Sequence, residues 1–189
     1  MALHSIDGPK AGEVRVRWER WPLGILLVAI GGGVLIAETS FRGAEAWGAS
    51  AFARGVFSVP STAYPSVAIY EGLNLHDGIL AIRITLECTA AIAVAALCFF
   101  GAGALFIRNV QTLEVVGAST LSVLVMLLFN ELRLAFLAAA FHWWGLKHGF
   151  EVAHIFYGSI ISVVGMVLAV VVFVVVLVRF PDTRRRIDA

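Results

Sequence analysis

A thiol, a guanidinium and an imidazole stand out in a chain that is otherwise mostly apolar. Cys88 sits in Leu86-Glu87-Cys88-Thr89-Ala90, where a polar loop enters a long apolar run. Arg133 lies towards the end of a second such run, and His154 opens a third. Together these groups can carry out acyl transfer. A cysteine attacks as its thiolate, and a free thiol ionises near pH ~8.5. A guanidinium and an imidazole close by favour the anion. His154 can act as general base and then as acid toward a leaving amine. Arg133 keeps its proton and can hold a thiolate or a developing oxyanion through charge-assisted hydrogen bonds. Asn130, three residues earlier on the same helix face, can orient His154 or a substrate carbonyl. Glu87 is either a headgroup-level acid or a group that positions Arg133.

Each residue also has a plainer reading. A single Cys in an apolar helix is usually a small filler, and Cys98, mid-run with no polar neighbour, is read that way. An Arg in a membrane segment is costly unless paired, but Arg133 could snorkel or pair with Glu131. A His at the end of a span is more often interfacial, as expected for His142, His148, His76 and His4. The sharper reading therefore rests on where the surrounding elements place the three residues.

Composition decides the class. Sixty per cent of the 189 residues are hydrophobic and 14% are charged, against about 25% charged in ordinary soluble chains. A soluble globular fold is disfavoured, and nothing points to nucleic acid. The net charge of +1 says little about partners. The two cysteines form neither a disulfide framework nor a metal spacing, and no metal or cofactor is expected. On one helix Cys88 and Cys98 would stand about 15 Å apart, too far for a disulfide. A thiol-redox or quinone-reactive protein is therefore disfavoured.

The expected fold is an all-α polytopic membrane protein with about four spans. Residues 1–20 are a polar cytoplasmic segment. The first span, 22–37, is short and loosened by Gly31-Gly32-Gly33, with Trp18 and Trp21 in the inner headgroup zone. A cleaved signal peptide is the rival reading, but no small-x-small site followed by a soluble domain is seen. An extracytoplasmic loop, 38–87, follows. Its stretch from Ala44 to Phe57 reads as a short interfacial helix ended by Pro60 and Pro65. Ala68-Ile69-Tyr70 and Ile79 to Thr85 read as the strands of a β-hairpin around His76-Asp77-Gly78. Further spans are expected at 88–107, 113–140 and 154–178. Phe141 to Glu151 forms a polar and aromatic turn, and 179–189 a basic tail. Residues 21–178 thus make one membrane catalytic domain.

Basic residues set the orientation. Lys10, Arg15, Arg17, Arg20, Arg108, Arg179, Arg184, Arg185 and Arg186 fall on one side. Arg42, Arg54, Arg83 and Lys147 fall on the other, over a longer length. Both termini are expected in the cytoplasm, in the cell membrane. From Leu113 to Arg133 a helix rises about 30 Å, roughly the hydrocarbon thickness. Span three ascends to Arg133, while spans two and four descend from Cys88 and His154. All three residues should meet at the outer surface because successive spans alternate in direction.

The set Glu87-Cys88-Thr89-Ala90, Asn130-x-x-Arg133 and His154-x-x-x-Gly158 resembles the exosortase/archaeosortase family over roughly residues 40–178. The resemblance implies a multi-span cysteine endopeptidase or transpeptidase, with Cys88 as nucleophile, Arg133 as its arginine and His154 as third member. It implies substrate proteins carrying a C-terminal tripartite sorting signal: a short motif, a transmembrane segment and a basic tail. A membrane lipid is the implied possible acceptor. The box reads Cys-Thr-Ala where many bacterial members have Cys-Ser-Gly. Four spans, where long members have about eight, would make this chain a minimal core. A non-catalytic four-helix scaffold or transporter subunit is the alternative, but it gives Cys88, Asn130, Arg133 and His154 no reason to meet.

Overall fold

The computed structural model describes residues 20–74, 78–107 and 111–179. The polar segment 1–19, His76 and Asp77 of the expected turn, Arg108 and the basic tail from 180 lie outside the described residues. Helix α1 (Trp21–Ile36) begins with a proline in its first turn, a position that needs no amide donor. It closes where the Ala37 N–H donates to Gly33 O at 2.8 Å. Helix α2 (Glu38–Phe57) follows at once, bent by 80° from α1. The expected start at Ala44 is too late. Glu38 places a carboxylate in the first turn, favourable at the positive helix end, and pairs with Arg42 at 2.8 Å. Ser58 in left-handed conformation (φ 56°) stops α2.

The loop that follows is organised by a three-stranded antiparallel sheet, with strand order β1 (Ala63–Tyr64), β2 (Ile69–Asn74) and β3 (Gly78–Arg83). Tyr70 pairs with Ile82 and Gly72 with Leu80. Period-two alternation puts Tyr70, Ile82 and Ile84 into the core, whereas Leu86 is exposed. The phenol of Tyr70, fully buried, donates to Leu134 O at 2.8 Å. Ala46, Ala49 and Ala53 of α2 and Ala135, Ala138 and Ala140 of the fourth helix complete this core. Small side chains let helix and sheet approach closely; a Cβ at Gly72 would stand 3.2 Å from the Phe141 ring.

Helix α3 (Ala91–Ala104) is shorter than the expected span 88–107. Its start is delayed because Thr85 O accepts the N–H groups of Cys88 (3.0 Å) and Thr89 (3.2 Å), closing a turn first. At 14 residues it rises about 21 Å, less than the ~30 Å hydrocarbon core. Helix α4 (Thr112–Gly145) opens on a capping box in which the Gln111 N–H donates to Glu114 at 2.8 Å. It runs past the expected end at 140, through His142 and both tryptophans, to Gly145 at φ 75°. The expected turn from Phe141 is therefore helix at first, then two wide π-helical turns, Leu146–Phe150 and Val152–Tyr157. Helix α5 (Gly158–Arg179) packs along α4.

The chain is mostly helical and apolar, as a membrane protein is. Two helical stretches, Thr112–Gly149 and Val152–Arg179, are long and apolar enough to cross a bilayer; α1 and α2 make a third if the bent pair is one span. Helix contacts depend on glycine: Gly31 of α1 meets Phe99 and Cys98 of α3, and Gly165 of α5 meets Phe129 of α4. Arg20, buried at the entry to α1, donates to Leu105 O at 2.9 Å beyond the end of α3.

Candidate active site

The turn Leu86-Glu87-Cys88 links the sheet to α3, and α2 holds the chain on both sides of it. Glu45 of α2, 2% exposed, accepts the Ala90 N–H at 2.8 Å and the Asn130 side-chain amide at 2.7 Å on the same oxygen. The Thr89 hydroxyl also reaches this carboxylate. Thr89 Oγ1 in turn accepts the Ala91 N–H at 3.2 Å. A carboxylate from another helix thus caps the positive end of α3, immediately after the cysteine. Arg42 Nη1 donates to Ile84 O at 3.2 Å, fixing the strand exit that feeds the turn.

A cavity of ≈ 400 Å³ lies beside the turn. Glu87, Cys88, Arg133, His154 and Gly158 line it, with Leu134 and Leu137 of α4 and the β3 residues Leu80–Arg83. The thiol, the guanidinium and the imidazole come from the turn before α3, from α4 and from the turn before α5. All three are half-buried. Arg133 Nη1 reaches Cys88 O at 3.5 Å. Gly158 backs this arginine: a Cβ there would lie 3.5 Å from Arg133 Nε and 3.0 Å from Ala153 O. Burial raises the pKa of the Tyr70 phenol far above its usual range, and the Cys88 thiol pushes it the same way, so the phenol stays a donor beneath the site.

The expected helpers are placed differently. Asn130 is 4% exposed and does not line the cavity. Its amide is committed to Glu45, so the expectation that it orients His154 or a substrate carbonyl is replaced by an anchoring role. Glu87 is exposed at the cavity wall. Among the described residues no ion pair joins Glu131 to Arg133; the Glu131 carboxylate lies against Gly48 of α2. Cys98 is buried among Val94, Leu97 and Met126, as a filler would be. His142 bonds through Nδ1 to Leu73 O, joining α4 to the end of β2. Phe57, Phe136, Trp143, Trp144 and Tyr157 form a chain of edge-to-face rings that pins α2, α4 and the turn carrying His154 together.

Glu45 was missed in the sequence. Its only sign was a lone acid among Gly43, Ala44 and Ala46, within a stretch read for its aromatic residues.

Residues 67–171 match the model of the family described as Transmembrane exosortase (Exosortase_EpsH). The chain belongs to the transmembrane exosortase family. The matched segment begins in the turn before β2 and reaches into α5, so it includes Cys88, Arg133 and His154 but not Glu45. No curated protein and no solved structure matches the chain. Family membership makes this exosortase a membrane protein-processing enzyme of general protease or transpeptidase type. The cavity-lining residues all fall within the matched segment, while α2, outside it, supplies the support beneath.

Proposed function

We propose that this exosortase is a membrane-embedded cysteine endopeptidase/transpeptidase that cleaves C-terminal sorting signals of exported proteins and passes them to an acceptor. The observation that carries the reading is the shared cavity: Cys88, Arg133 and His154, far apart in sequence, line one space. The Cys88 thiolate attacks the scissile carbonyl carbon. The oxygen that becomes negative is held by the Arg133 guanidinium. His154, protonated on taking the thiol hydrogen, gives that proton to the leaving amine as the C–N bond breaks. The product is a thioester on Cys88. A water molecule, an amine or a lipid-borne acceptor then attacks it and regenerates the thiol. Glu87 at the wall and Asn130 beneath support the site.

The proposed topology has four crossings, near 22–37, 88–107, 113–140 and 154–178, with both termini cytoplasmic and the cavity facing outside the cell membrane. Residues 21–178 act as one catalytic domain. The short α3 crosses with the help of the turn residues at its two ends, in a bilayer that thins locally.

The test is co-expression with an exported reporter bearing a short motif, a transmembrane segment and a basic tail at its C-terminus. Its size is followed with wild type, Cys88→Ala, Cys88→Ser, Arg133→Ala and His154→Ala. Loss of processing in both Cys88 variants, with the enzyme still in the membrane, supports the reading. Processing that survives Cys88→Ala returns the chain to the scaffold alternative.

A further inference from the structure

Four consecutive residues, Leu80, Ala81, Ile82 and Arg83, line the cavity, and Thr85 continues them. Successive side chains of a strand point to opposite faces, so four in a row make an edge. β3 is the edge strand of the sheet, paired on one side with β2. The hydrogen bonds identify which main-chain groups stand on that edge. Glu71 N–H donates to Thr62 O at 2.8 Å, and Ser61 Oγ donates to Glu71 O at 2.6 Å. Both main-chain groups of Glu71 thus point away from β3. Its cross-strand partner is Ala81, which therefore occupies a non-hydrogen-bonded position and turns its own N–H and C=O outward. By the same alternation Ile79 and Arg83 also face outward, while Leu80 and Ile82 face β2. The Ile84 N–H, donating to Ala68 O at 2.9 Å, keeps the phase.

We propose that this outward edge of β3 is the docking strip for the extended polypeptide of the substrate, which adds as a fourth strand and leads its scissile bond to Cys88. The inference rests on the reading of Cys88 as the residue that cleaves a polypeptide. Three observations specify the occupant. Donor and acceptor pairs repeated at every second residue recognise another main chain. The cavity that β3 lines is also lined by Leu134, Leu137, Ala153 and His154, so apolar side chains and the imidazole stand beside the edge. The chain also runs from Arg83 straight into the Cys88 turn. No lysine or proline on β3 blunts the edge; Ile79, 67% exposed, opens it. The docked segment is the one N-terminal to the scissile bond, because the C-terminal side continues into the bilayer beside the helices.

The experiment uses full-length enzyme in membranes and the reporter described above. Single prolines are placed at successive reporter positions before the cleavage site. Proline has no N–H, so processing falls about tenfold, the loss of one main-chain hydrogen bond, at every second position and is kept between them. In the enzyme, Ala81→Pro removes an outward N–H without taking a β2 bond, as edge strands tolerate. It lowers processing by about tenfold while a small maleimide still labels Cys88 at the wild-type rate. The reporter scan decides: two-residue alternation supports the docking strip, and a flat profile overturns it whatever Ala81→Pro does. Processing that survives Cys88→Ala overturns the cleavage reading instead; Cys88-dependent processing with a flat profile overturns the strip alone.

Discussion

The side-chain amide of Asn130 donates to Glu45 Oε1 at 2.7 Å, joining α4 to α2 across 85 residues of chain. The same oxygen takes the Ala90 N–H, so one buried carboxylate sets the distance between the cysteine turn and the helix that carries Arg133. Glu45→Ala is expected to orphan both donors, at about 1–3 kcal/mol each, and to lose most reporter processing. Glu45→Gln keeps an acceptor oxygen in the same place and is expected to restore processing to within a few-fold. Thermal unfolding in detergent and the maleimide rate at Cys88 are the measurements. An alanine variant that unfolds and reacts like wild type would remove Glu45 from the support of the site.

Gly158 is expected to be intolerant for a local reason. A methyl there would meet Ala153 O at 3.0 Å, tighter than an ordinary contact, and touch Arg133 Nε at 3.5 Å, so the turn carrying His154 must shift beside the guanidinium. Misplacement of a reacting group by about 1 Å can cost about 100-fold in rate. Gly158→Ala is therefore expected to insert normally and process the reporter at least about tenfold more slowly. Quantitative immunoblotting of enzyme and cleaved reporter checks both halves.

Some of this architecture was legible in the sequence because it depends on local pattern. Apolar runs marked the helices, and alternation between Ile79 and Thr85 marked a strand. Alternating chain direction alone predicts that Cys88, Arg133 and His154 meet, and one cavity does hold the three. What escaped was set by distant partners. Nothing near Glu45 in sequence shows that the end of α3 will need a carboxylate. Asn130 looked like an active-site group because spacing gives a helix face, not the neighbour that the face meets. The start of α3 moved to Ala91 because the Thr85 carbonyl binds two amides first. The end of α4 moved to Gly145 because the aromatic residues expected in a turn are also compatible with helix.

The chemistry of Arg133 depends on shape as well as charge. One arm of its guanidinium reaches Cys88 O at 3.5 Å, leaving other donors for a substrate oxygen. A lysine is a single point donor on a flexible stem. Arg133→Lys is expected to keep the positive charge yet lose about 100- to 1,000-fold in processing, the scale seen when a donor to an oxyanion is removed. Cys98→Ala, deep in the packing with Val94 and Leu97, is expected to process normally. A parallel time course of the two variants would sink the assignment if the Arg133→Lys enzyme ran at the wild-type rate.

The helix pair α4–α5 makes a separate, purely structural prediction. Without a hydrophobic driving force between helices in lipid, close approach depends on small residues. A Cβ on Gly165 would lie 2.5 Å from Phe129 Cβ, a contact that only a backbone shift can relieve. Gly117, on α4, has nothing within 4 Å of the same added atom. Gly165→Ala is expected to destabilise the protein by about 1–3 kcal/mol, as overpacking does, whereas Gly117→Ala should be neutral or slightly stabilising through helix propensity. Because α5 follows directly from the turn bearing His154, the shift at Gly165 should also slow maleimide labelling or reporter cleavage. Equal melting temperatures for the two variants would show that α4 and α5 do not meet at Phe129 in the membrane.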